Sequence, residues 1–194
     1  MSGEHSAAGS ISELLTQDHR RLEQLLDKAG GQTGNIDSIP YEEFRAGLLR
    51  HIGMEEKIVF PALQRAQQGR PDPPLAPSLA SSLGQLRLEH GALAALLMPP
   101  PTTAILATIR EILRRHDEIE ESAGGPYGVA DDLLGKDAET MLASLRAAPT
   151  VTVMPHSDSP AVTATLHRAL ARAGYGLGGA QRAADREEAR SSET

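Results

Sequence analysis

The chain has 194 residues, 40% of them hydrophobic but only 3% aromatic, so its core must be built mostly from Leu, Ile and Ala, which suits packed helices better than a sandwich. It contains no cysteine, which excludes disulfides, thiolate metal sites and thiol catalysis and directs any metal towards imidazole and carboxylate, the set that suits non-haem iron or manganese. A net charge of −7 without a dense Lys/Arg cluster argues against nucleic acid as a partner. No run approaches the roughly 18 apolar residues of a membrane span, so a soluble cytoplasmic protein is expected.

Residues 1–9 read as a flexible leader. Ser10, Ile11, Ser12 and Glu13 form a capping box that opens a first helix, expected to run to Gly30 and Gly31. Its apolar stripe is Ile11, Leu14, Leu15, Leu22, Leu25 and Leu26, and the helical period places Asp18 and His19 in that stripe. A second helix begins near Pro40 and Tyr41; its stripe of Phe44, Leu48, Ile52, Ile58, Ala62 and Leu63 contains His51 and Glu55. Pro61 is expected to kink this helix or end its regular part, because the ring clashes with the carbonyl of Lys57. After the Pro-rich run 69–77, a third helix carries Leu79, Leu83, Leu86, Leu93 and Leu97, with His90 filling the missing rung. Pro99, Pro100 and Pro101 end it, and Thr102 or Thr103 caps a fourth helix whose stripe of Ile105, Ile109, Ile112, Leu113 and Ile119 encloses His116 and Glu120.

Short connections between consecutive helices imply antiparallel neighbours, so the expected fold is all-α: an up-down-up-down four-helix bundle over residues 10–125. The run Gly124 to Gly128 closes it. Beyond lie peripheral helices and a linker (126–175), comprising a fifth helix over 131–147 packed on the outside, an extended stretch from Thr150 to Pro160, and a short helix from Ser159 and Pro160 to Gly174. Residues 176–194 read as a disordered tail, and the last third carries no identifiable chemistry.

The strongest signal is the set of four inward-facing histidines, His19, His51, His90 and His116, on four separate stripes. Two of them, His51 and His116, carry a glutamate one helical turn later on the same face, Glu55 and Glu120. A Leu/Ile core excludes such groups unless something compensates them, and a metal is the usual compensation. Two hairpins, each giving one His and one His-x-x-x-Glu, would enclose two metal ions. His5, His156 and His167 lack this context and are assigned no role.

The order His19, His51-x-x-x-Glu55 with Glu56, His90, and His116-x-x-x-Glu120, with the run from Glu55 through Phe60 to Pro61, resembles the hemerythrin-like HHE cation-binding family over roughly residues 11–125. The resemblance implies a non-haem di-iron centre inside the bundle. His19 and His51 would ligate one side, His90 and His116 the other, and Glu55 and Glu120 would bridge. Solvent or a small ligand must complete such a centre, which leaves it open to reaction. Oxygen-carrying hemerythrins have a His-x-x-x-His pair on the third helix, whereas here Ala94 stands at that offset from His90. One terminal position is therefore vacant, or filled by water or a nearby carboxylate. That favours binding or sensing of oxygen, peroxide or nitric oxide over stable oxygen carriage. The alternative is an enzyme, either an oxygenase or oxidase acting on an organic substrate or a catalase-like protein.

Several positions stay open at this level. Glu121 competes with Glu120, which sits better in line with its stripe. Glu56 is expected at a solvated rim and Glu89 at a helix flank, while Asp18 could accept a hydrogen bond from a ligand histidine of a neighbouring helix. Gly47, Gly53, Gly84 and Gly91 either open a channel to the metals or, as preferred, allow close helix approach.

Overall fold

The computed structural model describes residues 9–31, 35–68 and 77–178; the leader up to residue 8 and the tail from 179 lie outside the described residues. The first helix, α1 (Ile11–Ala29), opens on the capping box, with Ser10 Oγ accepting from the Glu13 amide at 3.0 Å and Glu13 Oε2 accepting from the Ser10 amide at 2.9 Å. Helix α2 (Ser38–Met54) starts a little earlier than the sequence indicates. Asp37 caps it through the Ile39 amide, and Pro40 falls in the first turn, where a missing N–H is harmless.

The regular part of the second helix ends at Met54, ahead of Pro61, but the helical course does not stop there. The chain instead widens into one π-helical turn (Glu55–Val59), in which the Phe60 amide reaches back to the Glu55 carbonyl, and continues as α3 (Phe60–Gln68). Pro61 has no N–H for the Lys57 carbonyl, and a widened turn relieves the crowding its ring would cause there. Helix α4 (Pro77–Leu96) and helix α5 (Thr103–Glu120) complete the bundle, with Thr102 Oγ1 capping the Ile105 amide at 3.2 Å.

The alternation of helix direction can be read from the core. Buried apolar residues form two clusters, one containing Leu22, Leu48, Leu93 and Ile112, the other Leu15, Met54 and Leu86, with Ile119 packed against it. Along α1 the order is Leu15, His19, Leu22; along α2 it is Leu48, His51, Met54; α4 and α5 repeat the same reversal around His90 and His116. Each helix therefore crosses from one apolar half to the other through a polar layer, and successive helices cross in opposite senses. This is an up-down-up-down antiparallel bundle with additional C-terminal helices.

The region expected as a fifth helix over 131–147 is two helices. Helix α6 (Pro126–Leu134) begins earlier because Pro126 takes the first helical position after Gly125, and it packs against α1 and α3. A 3-10 turn with Gly135 at φ +49° separates it from α7 (Ala138–Arg146). The extended segment that follows is tied down: the buried Arg45 guanidinium donates to the Leu97 carbonyl at 2.8 and 3.0 Å and to the Met154 carbonyl at 3.1 Å. Helix α8 (Pro160–Ala173), capped by Ser159 and stopped at left-handed Gly174, lies along α4. Among the described residues there is no strand, and no helix is long and apolar enough to cross a membrane.

Candidate metal centre

All six predicted site residues meet in the polar layer between the two apolar clusters. His19, His51, His90 and His116 are at most 5% exposed, and Glu55 and Glu120 are fully buried. They form two groups, His19, His51, Glu55 and Glu120 on one side and Glu55, His90, His116 and Glu120 on the other, each offering donor atoms within 4.8 Å of one another. The two carboxylates belong to both groups. Glu55 puts Oε1 3.5 Å from His51 Nε2 and Oε2 3.1 Å from His90 Nε2; Glu120 puts Oε2 and Oε1 each 3.3 Å from His19 Nε2 and His116 Nε2.

Behind every ring stands an acid. His19 Nδ1 lies 2.9 Å from Glu121, His51 Nδ1 3.1 Å from Asp18, His90 Nδ1 2.7 Å from Glu56 and His116 Nδ1 3.0 Å from Glu89. A carboxylate can only accept, so each Nδ1 carries the proton, and in the neutral ring the Nε2 lone pair faces the centre. This settles where three ambiguous acids point. Glu121 turns away from the centre to hold His19 and Arg20, while Glu120 turns in. Glu56 is half-buried and bridges His90 and Arg87. Glu89 is not a flank residue: it is fully buried, held by Gln85 at 2.8 Å and by the Tyr175 hydroxyl at 2.9 Å as well as by His116. Asp18 takes the place considered for it, accepting from a histidine of the adjacent helix.

The electrostatics follow from this packing. Burial alone would raise Glu55, but His51 and His90 outweigh it and hold the carboxyl well below its ordinary range; Glu120 is lowered by His116 and His19 against burial and against Glu55. Burial likewise opposes charging of His51, yet Glu55 and Asp18 push it up to about 10, and Glu120 and Glu89 raise His116 well above its ordinary value. Left without a metal, the layer is a lattice of close imidazole and carboxylate groups whose packing favours the charged forms.

That lattice is incomplete. Glu55 Oε2, both oxygens of Glu120 and His90 Nε2 are buried without a hydrogen-bond partner, and His19 Nε2 and His51 Nε2 sit 3.0 Å apart although both cannot carry a proton there. Buried polar atoms of this kind are rare, and all of these face one another. The donor set of imidazole nitrogen and carboxylate oxygen fits a hard or borderline divalent or trivalent cation such as iron.

Two phenols from the region to which the sequence assigns no chemistry also reach the layer. Tyr127, 1% exposed, donates to Glu55 Oε1 and lies 3.1 and 3.2 Å from His19 Nε2 and His51 Nε2; Tyr175 holds Glu89. The signal for Tyr127 was the Gly125–Pro126 pair, which marks a helix start rather than a bundle closure. His156 pairs with Glu42 at 2.8 Å and His167 is exposed on α8, so neither joins the centre.

One side of the layer faces a cavity of about 420 Å3 between α1, α2 and α5. His19, His51 and His116 lie at its depth, with Leu22, Leu48 and Leu113 along its wall. The four glycines do not line it. A Cβ on Gly47 would come within 2.8 Å of Leu22, so Gly47 allows α1 and α2 to approach closely, whereas Gly53, Gly84 and Gly91 have nothing within 4 Å and serve neither purpose.

The fold and the layer define a class: an all-helical bundle with buried His/Glu groups able to hold metal cations. Residues 10–127 match the hemerythrin HHE cation-binding domain, and the chain belongs to that family. Neither the curated proteins nor the solved structures yield a match to it.

Proposed function

We propose that the chain holds a non-haem di-iron centre that binds or senses oxygen, peroxide or nitric oxide at an open coordination position, as a cytoplasmic protein acting on neither nucleic acid nor membranes. The observation that carries this reading is the sharing of Glu55 and Glu120 between two donor groups, each completed by its own pair of histidines. Iron bound there would supply redox chemistry and an acceptor for small ligands. The chain's own residues hold the four Nε2 lone pairs inward, fix the ring orientations through Glu121, Asp18, Glu56 and Glu89, and leave fewer donors than two octahedral ions take up.

An enzyme acting on an organic substrate is supported by one observation: the cavity is far larger than a diatomic ligand requires and falls within the ordinary range for small-molecule sites. Metal analysis of protein loaded with iron under anaerobic conditions, followed by visible spectra before and after oxygen, separates the readings. Two ions per chain and a reversible charge-transfer band are expected. Rapid peroxide loss or oxygen consumption without a reversible band would favour the enzyme, and a single zinc ion or no metal would remove both.

A further inference from the structure

Tyr127 supplies the strongest unassigned feature of the layer. Its hydroxyl has three close neighbours but only one proton, which goes to Glu55 Oε1. The other two, His19 Nε2 and His51 Nε2, lie 3.1 and 3.2 Å from the phenol oxygen, each ring held from behind by Glu121 or Asp18. His19 Nε2, His51 Nε2 and the Tyr127 oxygen thus form a triangle with sides of 3.0, 3.1 and 3.2 Å, and because the two facing Nε2 atoms have room for at most one proton between them, not all three edges can be hydrogen bonds. A metal ion bound in front of the triangle would satisfy all three atoms at once. Neighbouring donors around an octahedral ion with bonds of about 2.1 Å stand about 3.0 Å apart, so this triangle has the dimensions of one face of a coordination shell.

The backbone holds Tyr127 there. Pro126 begins α6, and the turn before it is packed so closely that a Cβ on Gly125 would lie 2.1 Å from the Ile119 carbonyl oxygen and one on Gly128 2.5 Å from that of Ser122. The register of α6 against the end of α5 is therefore fixed, and with it the distance from Tyr127 to Glu120 and the histidines.

We propose that the Tyr127 oxygen is a third terminal metal ligand beside His19 and His51, binding ferric iron as phenolate. The assignment rests on the iron reading above. On ligation the oxygen–hydrogen bond breaks, the proton leaves to solvent, and the oxygen lone pair forms the bond to the ion; no electron is transferred. The two metal positions then differ. The His19/His51 side has three terminal donors and the His90/His116 side two, which leaves the second position, reached from the cavity at His116, with fewer protein donors.

The test uses full-length protein loaded with ferric iron. Wild type is expected to show a broad visible phenolate-to-iron band, with tyrosinate ring vibrations enhanced under excitation into it. Tyr127→Phe should lose both and bind one of its two ions about tenfold or more weakly, whereas Tyr41→Phe and Tyr175→Phe should keep the band. Iron-loaded wild type without tyrosinate vibrations, or Tyr127→Phe with the band intact, overturns the proposal while leaving the di-iron reading standing. One ion per chain with the band present overturns the two-ion reading and supports the ligand. No iron uptake overturns both. The wild-type vibrations alone decide the matter if Tyr127→Phe fails to fold.

Discussion

Each histidine of the layer is gripped from behind by an acid and faces an acid in front, and the two kinds of acid have different consequences when removed. Glu55 and Glu120 belong to both donor groups, so under the proposed di-iron centre Glu55→Ala or Glu120→Ala should lower occupancy of both ions together, while His19→Ala should weaken mainly one. Glu121→Ala should leave two ions bound with affinity reduced about 10- to 100-fold, the usual effect of losing a group that orients a ligand. Metal content and chelator competition measure this; loss of all metal in Glu121→Ala with none lost in Glu120→Ala would reverse the assignment. The sequence made the six central residues legible because imidazole and carboxylate on an apolar stripe contradict their surroundings. It did not make Glu89 legible, since an acid beside a histidine looks the same whether it faces solvent or, as here, lies under Tyr175 and Gln85, contributed by a distant segment and by its own helix. A pH prediction also belongs to this scale. Burial would lower His51, but Glu55 and Asp18 hold it at about 10 in the metal-free layer. A raised folded value gives stability that is fully present below the unfolded value of about 6.5 and is lost as pH rises through the folded one. Metal, in contrast, needs the neutral ring and binds more tightly as pH rises. Between about pH 6.5 and 10 the metal-free protein should therefore melt progressively lower while its gap to the iron-loaded protein widens, which a pH series of thermal scans with and without chelator would test. A gap that narrows over this interval would contradict it.

At the scale of elements, the four bundle helices were readable from period, caps and proline runs, because those signals are local. Two features were not. The π turn at Glu55–Val59 answers to a conflict between Pro61 and the Lys57 carbonyl, and sequence shows the conflict but not whether the chain breaks, kinks or widens. At the start of this turn Glu55 faces the layer, while the next residue, Glu56, reaches the back of His90. The second feature is the α5–α6 turn, whose tightness depends on carbonyl oxygens that approach from the preceding helix end. Gly125→Ala should force that turn open, because the obstructing atoms are backbone and cannot move aside. A destabilisation of about 1–3 kcal/mol or more is expected, read as a lower melting temperature, together with weakened iron binding as Tyr127 withdraws. Gly53→Ala, with nothing near its Cβ, should show neither loss.

For the molecule as a whole, the central question is what the layer does to stability. Buried polar atoms without partners cost about 1–3 kcal/mol each, and Glu55, Glu120 and His90 contribute four. A ligand present at a thousandfold excess over its dissociation constant adds about 4 kcal/mol to the folded state alone. For a chain of this size each kcal/mol shifts the melting temperature by about 2–4 °C, so stripping iron should lower it by several degrees or more at neutral pH. Equal melting temperatures with and without metal would mean that the core satisfies its own histidines. The layer has one further effect, on cooperativity. It lies across every helix of the bundle between two apolar clusters that each have their own buried residues. A bundle divided in this way has two candidate folding units, joined by charged pairs in the absence of metal and by coordinate bonds in its presence. Amide hydrogen exchange in the metal-free protein should then resolve two opening free energies, one for the half around Leu22, Leu48 and Leu93 and another for the half around Leu15, Met54 and Leu86, and these should merge into a single global value once the ions rivet the halves together.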